Sequence, residues 1–362
     1  MNRIIINKQE IYVSDIASEN YSYVPQSDFE GRVLKFVQKW FETEAVFEAS
    51  TSGSTGIPKM MKIPKESLML SAEMTAKAVD LKPGMTALLA MDPKHIGGMM
   101  MIARALTLEM DLWVAEPSSN PLNQIPENIT IDFTAFVPLQ MSKILEEGAD
   151  NRLERIKVIL VGGGPVSKKL ESKITSLQTS IYQTYGMTET LSHIALKKLN
   201  GSEKSSFYRT LPGIKITQDD RGCLKISGAF LKEEVVTNDI VEITNPDTFN
   251  WLGRYDNIIN SGGIKLNPEL IEPVIFDVLN ENNFGDHRFF LAGIQDEEFG
   301  EKMILFVEGD LKGMIEHLLQ RLKQNLDTYQ CPKSIVEIKE FAMTETGKIK
   351  RKEIIQKFLG TM

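Results

Sequence analysis

Residues Thr51-Ser52-Gly53-Ser54-Thr55-Gly56-Ile57-Pro58-Lys59 put four hydroxyls, two glycines and one lysine into nine positions. Glycine lets a backbone approach a bulky anion and turn its N–H groups inward. The hydroxyls add donors, and Lys59 adds a positive charge. Such a loop can grip phosphates. It departs from the commoner Walker pattern, because Pro58 precedes Lys59 and Met60 follows it. A bare Ser/Gly run is as often a flexible linker, so the remaining chain has to decide.

Further polar groups recur downstream. Tyr185-Gly186-Met187-Thr188-Glu189-Thr190 follows an apolar run, and a carboxylate near a phosphate loop is a natural Mg²⁺ ligand. Alone, Thr188 and Glu189 would simply support a helix N-terminus. Thr237-Asn238-Asp239 reads as a polar turn with an acidic residue. Then come Gly253-Arg254-Tyr255-Asp256, Ser261-Gly262-Gly263-Ile264-Lys265, and Thr344-Glu345-Thr346-Gly347-Lys348. Lys348 stands among Lys350, Arg351 and Lys352, where a solvated basic tail is the plain alternative.

The elements that would carry these groups alternate. The opening residues Ile4-Ile5-Ile6 read as an edge strand rather than a signal peptide. Val33, Phe36, Val37, Trp40 and Phe41 fall at helical spacing. Helices are expected over Lys65 to Val79 and Gly98 to Leu108, and strands over Met85 to Met91, Leu112 to Ala115, Phe133 to Val137, Ile156 to Val161 and Ile181 to Thr184. Strand–helix alternation implies a largely parallel sheet covered by helices, with ligands past the carboxyl ends of the strands. From about Leu211 short alternating stretches predict a small antiparallel unit. A boundary at 254 gives domains 1–254 and 255–362, the second a smaller α+β lobe.

Bulk properties set limits. A 362-residue chain with 42% hydrophobic and 25% charged residues is expected to form two soluble domains. A net charge of −8 argues against nucleic acid as a partner. No apolar run reaches the roughly 20 residues of a membrane span. Two distant cysteines and four scattered histidines offer no disulfide framework and no metal-ligand spacing, and the chain reads as cytoplasmic. Seventeen methionines, with Met99-Met100-Met101 in a helical stretch, suit adaptable packing.

Taken in order, the motifs over about residues 50 to 355 resemble the adenylate-forming superfamily of acyl-CoA synthetases, peptide-synthetase adenylation domains and luciferases. The resemblance implies a large amino-terminal α/β domain, a small antiparallel unit and a mobile carboxyl-terminal lobe. It also implies amino-terminal shortening, since typical members carry well over a hundred residues before the phosphate loop. The implied reaction joins a small-molecule carboxylic acid to the α-phosphate of ATP, releasing pyrophosphate; coenzyme A then displaces AMP. By resemblance, Thr51 to Gly56 and Lys59 hold the β- and γ-phosphates, and Thr188 touches the α-phosphate. Glu189 holds Mg²⁺, Asp239 takes the ribose with Arg254 assisting, and Gly163, Gly164, Pro165, Tyr185 and Gly186 border the adenine. Lys348 is the catalytic cation of the small lobe, and Asp256 is its hinge. Asn238 and Met343 stand where the family usually has Gly and often has Pro.

Val161 to Val166, Tyr185 to Ile194 and His95-Ile96-Gly97-Gly98 are further similar to the o-succinylbenzoate–CoA ligase branch, whose acid carries a second carboxylate. A buried charge needs a partner, and Lys94, His95, Arg104 and His193 are the candidates. For Arg104, inside an apolar helix, a structural ion pair is the plainer expectation. Another aryl or short-chain acyl-CoA ligase, or an adenylation module that loads a carrier protein, stays open, as does a homo-oligomer.

Overall fold

The computed structural model describes residues 2–50, 60–281, 287–343 and 349–360. Thr51, Ser52, Gly53, Ser54, Thr55, Gly56, Lys59 and Lys348 lie outside the described residues. The chain forms two compact units. One comprises Met1–Ile216, Ile226–Val235 and Thr244–Phe249; the other comprises Thr217–Lys225, Val236–Ile243 and Asn250–Met362.

The first unit is built on parallel strands in the spatial order Ser180–Met187, Ile156–Val161, Ile131–Phe136, Thr86–Leu89, Asp111–Val114 and Arg3–Ile6. Their near-continuous apolar runs follow from burial on both faces. Leu88, Phe136, Ile159, Val161 and Ile181 pack with Met141 and Ile144 of helix Pro138–Glu146 and with Leu170 and Ile174 of helix Lys168–Ile174. Antiparallel strands flank this parallel run: Gln9–Tyr12 ends the sheet on one side, and Ser192–Lys198, then Tyr208–Thr210, continue it on the other. Arg3–Ile6 is therefore not the edge strand expected from sequence. It pairs with Gln9–Tyr12 and with Asp111–Val114, which explains why Ile4, Ile5 and Ile6 are all buried.

Helices Lys65–Val79 and Ile96–Thr107 pack on each other. Gly98 is required at the start of the second, because a Cβ there would lie 2.4 Å from the Asp92 carbonyl oxygen. Arg32 grips the Asp92 carboxylate at 3.0 and 2.6 Å, fixing the approach to that helix. A hairpin, Val46–Ser50 with Met60–Pro64, pairs Ser50 with Met60.

The strands Lys215–Gln218, Cys223–Ser227, Val235–Asn245 and Thr248–Arg254 are neighbours in that order. Thr237-Asn238-Asp239 is accordingly strand and not the polar turn expected. Thr237, Asp239 and Val241 alternate on the buried face, and the polar character of the first two disguises the period of two.

In the second unit, Phe289–Asp296 and Gly300–Glu308 form a hairpin, with Ser334–Ile338 parallel to the latter. One sheet face buries Leu291 and Leu305 beneath Ile271, Ile275 and Val278 of helix Pro268–Glu281 and Leu318 and Leu322 of helix Ile315–Asn325. The other face stacks Phe290 on Phe306, near Ile354 of helix Arg351–Gly360. Gly262 and Gly263, at φ 60° and 80°, make the two-residue turn between Ile259–Ser261 and Ile264–Leu266. Cys223 and Cys331 are both free and buried.

Candidate functional site

In the first unit the motifs gather at the carboxyl ends of neighbouring parallel strands. Gly162 to Pro165 follow Ile156–Val161 directly, and Tyr185 and Gly186 end the adjacent Ser180–Met187. Gly163 has φ +83°, which favours glycine. Gly162 is required for a different reason: a Cβ there would lie 2.0 Å from Thr184 Oγ1. Tyr185 is braced from behind, its ring centroid 5.6 Å from Tyr208 and 5.1 Å from Phe249. Burial pushes the Tyr208 hydroxyl well above its ordinary pKa, so that ring stays neutral.

Thr188–Thr190 is a single tight turn, with Glu189 exposed and Thr188 half-buried. Thr190 Oγ1 accepts from Met187 N at 3.0 Å and approaches the Ser192 carbonyl at 2.8 Å. Leu191 and Ser192 then take φ values of 58° and 156°. Such backbone is costly for residues with a side chain and survives where the surroundings hold it. Gly186 provides the room, since a Cβ there would stand 2.0 Å from the Ser192 carbonyl oxygen.

Past this turn, Arg104 and His193 meet. Arg104 is 2% exposed and His193 4%. Arg104 Nη2 lies 3.4 Å from His193 Nδ1 and 3.3 Å from Ser192 Oγ, and Nε lies 3.4 Å from Thr75 Oγ1. Its guanidinium sits 6.0 Å from the centre of the Phe133 ring. A guanidinium only donates, so His193 Nδ1 must accept. The proton is assigned to Nε2, which lies 3.2 Å from Thr75 Oγ1; that hydroxyl donates onward to the Ser71 carbonyl at 3.1 Å. Burial pushes His193 well below its ordinary pKa, the nearby Arg104 charge adding to this, so the imidazole is neutral. Burial also lowers Arg104, to about 9, which leaves it charged at neutral pH.

Among the described residues no carboxylate pairs with Arg104, and burial lowers its pKa. Among the described residues the structural ion pair expected from sequence is not formed, because the polar groups that face the guanidinium there are uncharged. The Ser71 hydroxyl, one turn before Thr75, is buried without a hydrogen-bond partner among the described residues. His95, by contrast, is exposed at the N-cap of helix Ile96–Thr107, nine residues and about 13 Å of helix from Arg104. Lys94 is exposed beside it. Sequence reasoning did not single out Thr75, Ser71 or Ser192. The available signal was a pair of hydroxyls four apart on the apolar face of helix Lys65–Val79.

In the second unit, Asp239 is 6% exposed and its N–H bonds Thr237 Oγ1 at 3.0 Å. Arg254 Nη1 approaches it at 3.5 Å. The same guanidinium makes a fork on Asp256 at 2.9 and 3.0 Å. Burial pushes the Asp256 carboxyl up, but the bonds and charge of Arg254 outweigh this and hold it below its ordinary value. Arg221, unnoticed in the sequence, bonds Asn238 Oδ1 at 3.0 Å and the Thr237 carbonyl at 3.2 Å while lying 5.1 Å over the Tyr255 ring. It ties the Asp239 strand to the Arg254–Asp256 segment.

Comparison with known proteins gives a consistent result. The family model described as AMP-binding enzyme matches residues 37–225, more than half of the chain. A 2-succinylbenzoate–CoA ligase from Listeria monocytogenes serotype 4b (strain F2365) is 24% identical over 357 residues, spanning 92% of this chain and 74% of that protein. Among solved structures, an acyl-CoA synthetase (AMP-forming)/AMP-acid ligase II-like protein from Dyadobacter fermentans DSM 18053 is 40% identical. It covers 93% of this chain and 96% of its own, with a TM-score of 0.63. The o-succinylbenzoate coenzyme A synthetase of Bacillus subtilis, solved with ATP and magnesium ion, is 20% identical over 85% of this chain and 69% of its own, with a TM-score of 0.72, a likeness of fold.

Proposed function

The chain belongs to the AMP-binding enzymes, the adenylate-forming family, and from that premise we propose that it is an AMP-forming acyl-CoA synthetase acting on o-succinylbenzoate. The reaction is acid plus ATP to acyl-adenylate and pyrophosphate, then acyl-adenylate plus coenzyme A to acyl-CoA and AMP. The product would serve menaquinone biosynthesis. One observation carries the choice of acid: a buried, charged Arg104 whose neighbours are all neutral. A substrate with a reacting and a non-reacting carboxylate supplies the missing anion, and a guanidinium matches a carboxylate in two parallel bonds. The ligases of that name among the relatives support the same acid.

The other roles follow the family. Thr51 to Gly56 and Lys59 would hold the β- and γ-phosphates. Asp239 would accept from both ribose hydroxyls with Arg254 beside it, and the braced Tyr185 with Gly163, Gly164, Pro165 and Gly186 would border the adenine. Thr188 would contact the α-phosphate. Glu189 offers one exposed carboxylate in the turn Thr188–Thr190, which suits Mg²⁺, since that ion takes one or two carboxylates and keeps waters and phosphate oxygens as its other ligands. Bound Mg²⁺ would supply charge neutralisation on the phosphates. Lys348, in a lobe over residues 255–362 that turns about Asp256, would neutralise charge between acid and α-phosphate. Transfers of this kind depend on positioning and charge more than on covalent help.

The test is ATP–pyrophosphate exchange over a panel of acids. o-Succinylbenzoate should exchange fastest, and addition of coenzyme A should yield AMP and the acyl-CoA. Faster exchange with benzoate or hexanoate would overturn the assigned acid while leaving the reaction class. Acyl transfer to a carrier protein in preference to coenzyme A would point to the carrier-loading alternative.

A further inference from the structure

Three oxygen or nitrogen acceptors face the Arg104 guanidinium, Thr75 Oγ1, Ser192 Oγ and His193 Nδ1, at 3.4, 3.3 and 3.4 Å, with the uncharged Met101 Sδ 4.0 Å from Nη1. They come from helix Lys65–Val79 and strand Ser192–Lys198, while Arg104 belongs to helix Ile96–Thr107. All three are neutral acceptors. We infer that His193, with Thr75 and Ser192, is an uncharged positioning bed for Arg104 that sets specificity for acids bearing a second carboxylate. This deepens the reading of Arg104 given above and rests on it.

The geometry supports the inference at each member. The contacts are long for hydrogen bonds, so the bed steers the guanidinium without saturating it. A fork of five donors retains N–H groups for an incoming carboxylate. His193 occupies both its ring nitrogens within the cluster, one on Arg104 and one on Thr75. That fixes the ring plane and leaves it no lone pair to turn toward a substrate. It is therefore a positioning residue and not a direct ligand. Ser192 is held by its own backbone: positive φ at Leu191 and Ser192, Thr190 Oγ1 on the Ser192 carbonyl at 2.8 Å, and Gly186 packed beneath. The charge logic is the decisive part. An Asp or Glu at any of these three positions would close a buried ion pair with Arg104 and cancel the charge that attracts the substrate. Neutrality of the bed is thus what reserves that charge.

The test uses the full chain and pyrophosphate exchange with o-succinylbenzoate, with active sites counted by the adenylate burst. His193→Glu should raise KM by on the order of 100-fold, the scale of losing a charged hydrogen bond, with kcat per active site much less affected. His193→Gln keeps an acceptor and a donor and should restore KM to within about 5-fold of wild type. Thr75→Val, nearly the same shape, should raise KM by roughly 5- to 20-fold in the wild type and add nothing in an Arg104→Met background, because its effect travels through Arg104. The inference is overturned if His193→Glu folds and leaves KM near wild type. It is equally overturned if Thr75→Val is as harmful without Arg104 as with it. If Arg104→Met alone leaves KM unchanged, the assigned acid falls as well. A raised KM in Arg104→Met with no effect of His193→Glu would sink the bed alone.

Discussion

Arg104→Met should make the protein more stable and less able to use its acid. The guanidinium is 2% exposed, and burial lowers its pKa to about 9. The fall from an ordinary arginine value corresponds to roughly 5 kcal/mol borne by the charged form. Three long hydrogen bonds to neutral acceptors return part of that, at about 1 kcal/mol or less each. The Phe133 ring, 6.0 Å away and so at the limit of a cation–π contact, returns about 1 kcal/mol more. A net cost of about 1–3 kcal/mol remains, the range often recovered when buried ionic groups give way to apolar ones. Methionine is unbranched and adaptable enough to fill the space, and Ser192 Oγ, 3.4 Å from His193 Nδ1, can take over as its donor.

The readout is the thermal midpoint of the variant against wild type at a fixed scan rate, with and without o-succinylbenzoate. A rise of a few degrees is expected without ligand. The pH dependence has a definite sign. Below about pH 9 Arg104 is protonated in both folded and unfolded chains, so the stability gap is constant. Above it the folded chain releases a proton that the unfolded chain keeps, wild type gains stability, and the gap narrows. Adding the acid should raise the midpoint of wild type and not of Arg104→Met. A lower midpoint for the variant, or a gap indifferent to pH from 8 to 10, would refute the reasoning and return Arg104 to a structural role.

Three further outcomes are expected. Lys348→Ala should lose on the order of 10²–10³ in adenylation rate, while thioester formation from supplied acyl-adenylate is largely kept; equal loss of both half-reactions would contradict its role. Asp239→Ala should raise the KM for ATP, because the ribose acceptor is lost together with its contact to Arg254; unchanged ATP kinetics would make that strand merely structural. Asp256→Pro breaks the Arg254 fork and locks the backbone near φ −65°. Pyrophosphate exchange should persist while acyl-CoA production drops by orders of magnitude, and near-wild-type rates for both would place the hinge elsewhere.

Where one physical signal dominated, the sequence was legible. Helix Lys65–Val79 is legible to its ends, because its pattern stops short of the turn-prone Lys82-Pro83-Gly84. Strand Ile156–Val161 was read to its ends because an apolar run meets glycines. Elsewhere two signals competed. Pro273 inside helix Pro268–Glu281 hid that helix, although Ile271, Ile275 and Val278 mark its buried face. Hairpin Val46–Ser50 and Met60–Pro64 was overlooked, since its partners are separated by the hydroxyl-rich stretch and alternate only weakly.

The hardest residues to place were the polar ones on apolar faces, and the structure separates them into two kinds. Thr134 donates to the Leu88 carbonyl, Gln140 to the Ala90 and Ser118 carbonyls, and Asn200 to those of Leu177 and Thr179. Each bonds backbone carbonyls, which is reason enough for its burial. The side chains of Arg104 and His193 bond no backbone group among the described residues; their partners are other side chains. A buried polar group that repairs nothing in the fold costs stability without structural return, and such a cost persists where a ligand completes the set. From sequence, both kinds look alike: a polar residue where the pattern calls for an apolar one. Sequence reasoning could therefore nominate Arg104 and His193, but only their partners, side chains that pair no carboxylate with Arg104 among the described residues, separate this pair from a core repair.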